Sequence, residues 1–105
     1  YKRLVPGFEA PMHVAWALKH RSPLVRVPAR RGPGTRVELR SPDPATNPYL
    51  ALAVMLASGL DGIEHEHSSR EPVESNINEL SFRERRRLRI DDIPRDLNEA
   101  CDALE

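Results

Sequence analysis

Proline interrupts this sequence so often that long regular elements have little room in its first half. Ten of the 105 residues are proline. Each lacks a backbone donor and fixes φ, which places it at element ends, edges and turns. Pro11 and the Ser22-Pro23 pair bracket a run from Met12 to Arg21, within which His13 to Trp16 and Leu18 suit a strand. A second short strand, Leu24 to Val27, ends at Pro28, and Ala29 to Gly34 then reads as a basic loop. The expectation is an α+β chain of short strands followed by helices. With 39% hydrophobic residues it has room for one modest domain, and a helical bundle is excluded.

Thr35 to Arg40 alternates strictly. Thr35, Val37 and Leu39 point one way as a core face, while Arg36, Glu38 and Arg40 point the other. Like-facing residues lie roughly 6 to 7 Å apart along a strand, so plus, minus and plus are set out at that interval. Ser41-Pro42-Asp43-Pro44 makes a rigid turn, and Asn47-Pro48 supplies an N-cap with proline at the first helical position. The run from Tyr49 to Leu60 is apolar all round except Ser58, which predicts a helix buried on most sides. It is too short to span a bilayer, and Gly59 and Gly62 offer places to end it. Glu64 to Ser75 reads as a polar connector. Ser81 with Glu84 and Asp96 with Glu99 mark capping boxes of two short helices. Leu97, Ala100, Cys101 and Leu104 form an apolar stripe on the last, with Cys101 expected to be buried there.

The formal net charge is zero, but residues 1–40 hold nine Lys and Arg against two acids, and residues 41–105 hold seven against fourteen. A basic half with two isolated glutamates suits a surface that meets anions: a nucleotide, a phosphorylated intermediate or nucleic acid. One cysteine cannot make an internal disulfide, and no segment reads as a signal peptide, so a reducing cytoplasmic setting is the default.

Two readings compete for the Arg36, Glu38, Arg40 face. One is a solvated strand face with weak charge pairing. The other is a site for a polyanion with a divalent cation, favoured by the basic Gly-Pro-Gly loop before it and by Arg21 and Arg26 near the ends of the preceding strands. Glu9 lies in a loop bounded by glycine and proline. His65 and His67 have the separation of a chelating pair but sit in a polar connector without a third ligand, which favours a plain surface reading. The arginines from Arg83 to Arg89 are interrupted by Glu84 and followed by Asp91 and Asp92, which favours a solvated helix face or subunit contact over nucleic acid.

Four ordered blocks then carry a resemblance: Tyr1-Lys2-Arg3-Leu4-Val5-Pro6-Gly7-Phe8-Glu9-Ala10-Pro11, Arg21 to Pro28, Thr35 to Pro44, and Asn47 to Ala53. Together they resemble the successive blocks near the end of bacterial glutamine synthetases, and Leu60-Asp61-Gly62-Ile63 and Glu71-Pro72-Val73 extend the likeness over nearly the whole chain. The resemblance implies an ATP-dependent ligation of ammonia to glutamate through a γ-glutamyl phosphate, with Mg2+ or Mn2+. By position, Arg3 and Arg40 match arginines that hold glutamate, and Arg21 matches one touching both glutamate and the transferred phosphoryl group. Arg26 and Arg36 match nucleotide-phosphate contacts, Glu38 matches a metal ligand, and Glu9 matches a loop glutamate that closes the site and takes a proton from ammonium. Pro33 stands where many relatives carry lysine, with Arg30 and Arg31 as candidate replacements; His20 and Phe8 also depart from the common pattern.

On this resemblance the strands are antiparallel and form part of a catalytic half-barrel, followed by the buried helix and the short carboxy-terminal helices. The chain is expected to be a carboxy-terminal portion of the catalytic domain, inactive alone and part of a homo-oligomer, commonly a dodecamer, when full length. Partners are glutamate, ammonia and ATP, with neither nucleic acid nor membrane. The alternatives are a relative that ligates glutamate to another amine and a small basic anion-binding or nucleic-acid-binding module, which the repulsion of Glu9 and Glu38 for phosphates argues against.

Overall fold

A computed structural model of the chain describes residues 2–5 and 9–104. Tyr1, Pro6, Gly7 and Phe8 of the first block, and Glu105, lie outside the described residues. Five two-residue strands and three helices follow in the order β1 His13–Val14, β2 Trp16–Ala17, β3 Val25–Arg26, β4 Glu38–Leu39, α1 Pro48–Glu64, α2 Phe82–Arg87, β5 Asp91–Asp92 and α3 Leu97–Asp102. Short 3-10 turns occupy Gly32–Gly34 and Ile77–Glu79, the first of them inside the basic loop. The strands are shorter than the alternating patterns that announce them, as the frequent prolines require.

Two small sheets carry the strands. β1 pairs antiparallel with β5, matching His13 with Asp92. In the other sheet β3 lies between β2 and β4. β3 and β4 are antiparallel, as the sequence suggests, whereas β2 and β3 are parallel. The parallel pair corrects the expectation of a wholly antiparallel arrangement, and its cause is visible in the chain. Leu18 to Leu24 returns to the start of β2 instead of reversing tightly, so that Val25 N–H reaches Ala15 O at 3.1 Å and Val27 N–H reaches Ala17 O at 2.9 Å.

Residues 70–93 lie back against these strands. Val73 N–H donates to Trp16 O at 2.8 Å, Ile93 N–H to Met12 O at 2.9 Å, and Trp16 Nε1–H to Arg70 O at 2.6 Å. The Glu74 carboxylate accepts the Leu18 and Lys19 backbone N–H groups. Ala10, Met12, Ala17, Pro23, Ile77 and Ile90 form the small core. At its edge the buried His13 ring holds the Asp92 carboxylate at 2.6 Å, tying β1 to β5 through side chains as well as backbone.

The helices correct several expectations. α1 begins where predicted, with the Asn47 side chain accepting the Tyr49 and Leu50 N–H groups. It then runs through Gly59 and Gly62 to Glu64, because glycine inside a helix costs only about 1 kcal/mol and does not break it. The predicted burial is not found: α1 has no buried residue, and Tyr49, Leu50, Leu52, Val54 and Leu56 are all exposed. An all-round apolar helix needs cover on every side, and the described residues supply none. On the strand face of Thr35, Val37 and Leu39 only Leu39 is half-buried while Val37 is 68% exposed, and on α3 Leu97, Cys101 and Leu104 are exposed. The Ser81–Glu84 capping box is present in full. At α3 Asp96 caps Glu99 N–H, but the Glu99 carboxylate reaches Arg95 N–H instead of closing the reciprocal bond.

Candidate functional site: an arginine-lined face

Register decides what the charged face can do. Arg26 stands opposite Glu38 across β3 and β4, so their side chains share one side of the sheet. Arg26 Nη1 donates to Glu38 Oε2 at 3.1 Å. Arg36, two residues before Glu38, projects from that same side, and its Nε donates to Glu38 Oε1 at 2.7 Å. Both carboxylate oxygens are therefore held by guanidinium groups. Glu38 is pulled below the ordinary carboxylate range, chiefly by the Arg36 hydrogen bond, against a desolvation that raises it and with further lowering from the charges of Arg36 and Arg26.

Arg40 continues the row. Its backbone N–H donates to Leu24 O at 3.0 Å, anchoring the strand end, and its Nη2 donates to Glu9 O at 3.2 Å. Burial, with the neighbouring charges of Arg21 and Arg26, lowers the Arg40 pKa, and Glu9 and Glu38 oppose that shift. Arg40 Nη1 and Arg26 Nε are buried without a hydrogen-bond partner among the described residues. Buried guanidinium donors left unpaired carry a desolvation cost that an anion would relieve.

Arg3 approaches from the other end of the chain. Its Nη2 donates to Ser41 O at 2.5 Å and Pro42 O at 2.9 Å, and its Nε lies 3.6 Å from the Asp43 carboxylate. Arg3 thus pins the Ser-Pro-Asp-Pro turn beside the site, a structural task that sequence reasoning did not assign to it.

Two adjoining concavities result. One of about 570 Å3 is lined by Lys2, Arg3, Val5, Glu9, Ala10 and Arg40. The other, about 200 Å3, is lined by Glu9, Ala10, His20, Arg21, Ser22, Arg40, Asn76 and Asn78. Glu9 and Arg40 line both. Of the seven residues singled out in the sequence, Arg3, Glu9, Arg21 and Arg40 meet at these concavities, while Arg26, Glu38 and Arg36 form the ion network beside them. Asn76 and Asn78 were missed. They reach Arg21 through tertiary contact, with Ile77 N–H donating to Ser22 Oγ at 3.1 Å, and nothing in their local sequence marks them.

Clustered guanidinium groups around two carboxylates, on an α+β frame, are chemically suited to holding phosphate and carboxylate groups together. Comparison with known proteins specifies the family. The profile described as "Glutamine synthetase, catalytic domain" matches residues 1–105. Glutamine synthetase of Methanocaldococcus jannaschii is 56% identical over 105 residues, all of this chain and 23% of its own length. That of Thermus thermophilus is 55% identical over 104 residues, 99% of this chain and 23% of its own, and that of Staphylococcus epidermidis is 56% identical over 104 residues, again 99% and 23%. The chain belongs to the glutamine synthetase catalytic-domain family. Its relatives are archaeal as well as bacterial, so the bacterial likeness read from the sequence narrows no further than the family. The chain spans about a quarter of the length of these relatives.

Proposed function

We propose that this chain is the arginine-bearing part of the active site of an ATP-dependent ligase that joins ammonia to glutamate, giving glutamine, ADP and phosphate by way of a γ-glutamyl phosphate. The observation that carries this reading is the convergence of Arg3, Arg21 and Arg40 with Glu9 on adjoining concavities, directly beside the Arg26–Glu38–Arg36 network. Phosphoryl transfer demands little covalent chemistry from the protein. It is accelerated by positioning and by cations that stabilise charge on the transferring group.

In this account Arg3 and Arg40 hold the glutamate, Arg21 touches its γ-carboxylate and the incoming phosphoryl group, and Arg26 and Arg36 meet the nucleotide phosphates. Glu9, exposed and lining both concavities, takes a proton from ammonium as the nitrogen attacks the acyl phosphate and helps keep water from that intermediate.

Glu38 suits a divalent-cation ligand, being half-buried and held ionised. It supplies one oxygen donor group, whereas Mg2+ or Mn2+ requires about six ligands. Among the described residues it belongs to no group of three or more side chains able to hold a metal ion. The remaining ligands therefore come from substrate, water and residues beyond these 105. A cation bound at Glu38 would offset phosphate charge and release Arg26 and Arg36 for the nucleotide. The complete enzyme is proposed to be a cytoplasmic homo-oligomer, a dodecamer in this account. No helix among the described residues is long and apolar enough to cross a membrane.

The test is an assay of the purified full-length protein with glutamate, ammonia, ATP and Mg2+ or Mn2+. Glutamine, ADP and phosphate should appear in equal amounts, and omission of the metal should stop all three. Product formed from a different amine in preference to ammonia would refute the ammonia assignment.

A further inference from the structure

The end of α1 builds a second cluster, far in chemistry from the arginine face. Asp61 and His65 lie one turn apart on the helix, so their side chains share a face. A continued helix would carry residue 67 away from them. Instead the chain reverses: Glu66 adopts φ 51°, its N–H donates to Ile63 O at 3.2 Å, and His67 N–H donates to Gly62 O at 2.9 Å. These paired bonds make a Schellman motif, which fixes the backbone of His67 beside the last helical turn.

The consequence is a three-sided cluster. His65 Nδ1 lies 3.2 Å from Asp61 Oδ1, and His67 Nε2 lies 3.4 Å from Asp61 Oδ2. The two rings stack with centroids 5.8 Å apart. One donor atom from each of the three residues falls within 4.8 Å of the others. Donors bound at about 2.0–2.1 Å to a tetrahedral ion are separated by about 3.3 Å, and each imidazole nitrogen lies about that far from a different oxygen of the shared Asp61 carboxylate.

We propose that Asp61, His65 and His67 bind a transition-metal ion of the zinc class, with a fourth position open to water. Two imidazoles and a carboxylate select zinc, nickel or copper over magnesium and manganese, so this site and the oxygen-donor chemistry of Glu38 take different metals. The electrostatics favour a cation. The last carbonyls of α1 point toward this end, Glu64 and Glu66 flank the ligands, and no Lys or Arg occurs between Asn47 and Ser69. All three ligands are exposed, so an ion reaches them without unfolding the chain.

The connector histidines were read from sequence as a pair lacking a third ligand. Asp61 is that ligand, hidden because the helix runs past Gly62. A carboxylate hydrogen-bonded by two imidazoles would show the same distances with no affinity for metal, and titration separates the two cases. The full-length protein, held in saturating Mg2+ to fill oxygen-rich sites, is titrated with Zn2+ against a chromophoric chelator. His65→Gln/His67→Gln and the single His67→Gln variant are titrated alongside, with helix content checked by circular dichroism. Wild type should bind one more zinc ion per chain than the double variant, and His67→Gln should weaken that ion at least about tenfold. With Co2+, wild type should gain the visible absorption of a four-coordinate site and the double variant should not. Equal zinc stoichiometry and affinity in wild type and either folded variant would overturn the proposal.

Discussion

Arg26 and Glu38 face each other across the β3–β4 pair and meet at 3.1 Å, the contact by which the sheet register becomes electrostatics. With Arg36 on the other carboxylate oxygen, Glu38 is oriented before any ligand arrives. Its charge is useful to a cation only while it stays ionised, and the two arginines ensure that it does.

Replacing Glu38 with glutamine in the full-length enzyme is therefore expected to raise the divalent-metal concentration needed for activity and to lower turnover by about 10²-fold or more, since a positioned metal supplies several kcal/mol of charge stabilisation. Thermal stability should fall modestly, because Glu38 pairs with Arg26 and Arg36 in the fold but these are partly exposed ion pairs, and by far less than turnover. Parallel losses of folded protein and activity would show that Glu38 serves the fold instead.

Glu74 gives a prediction about pH. Its carboxylate sits below the ordinary range because the backbone N–H of Leu18, then those of Lys19 and His20, hydrogen-bond its ionised form. A pKa lowered by folding contributes stability that is complete above the unfolded value and is lost as pH falls through the folded one. In thermal unfolding of the full-length protein, Glu74→Gln should lie below wild type at neutral pH, and the two curves should converge in acid. A constant offset at all pH values would assign the effect to packing.

Asn47 caps α1 through two backbone donors. Asn47→Ala should lower stability by about 1 kcal/mol, and Asn47→Asp should restore most of it. Chemical denaturation of the full-length variants measures both.

Glu9→Ala should leave KM for ATP and glutamate nearly unchanged while lowering turnover with ammonia by about 10²–10⁴-fold, the usual worth of general acid-base assistance. Loss of shielding should also raise the phosphate released per glutamine formed. Following phosphate and glutamine together under saturating substrates reads both effects, and wild-type values for both would make Glu9 an ordinary loop residue.

The legible parts of this structure were those that depend on local sequence. Proline spacing announced short strands, Ser81 and Glu84 announced α2, and the alternation from Thr35 to Arg40 placed Arg36 and Glu38 on one side. What depends on distant partners was not legible. His13 meets Asp92 from 79 residues away, and the parallel pairing of β2 with β3 follows from how a seven-residue excursion returns. Asn76 and Asn78 join the Arg21 concavity only through the fold. The extension of α1 past Gly62 was missed because a single glycine is a weak stop signal, and its exposure reflects surfaces that the described residues do not provide.

The central claim is that the arginine face passes a phosphoryl group from ATP to the glutamate side chain. Glutamate labelled with 18O in its γ-carboxylate tests this directly in the full-length enzyme. An acyl phosphate forms by attack of a carboxylate oxygen on phosphorus, and ammonia then displaces phosphate with that oxygen attached. Mass spectrometry of the released phosphate should find one 18O atom per glutamine formed. Phosphate without the label, produced alongside glutamine, would contradict the account.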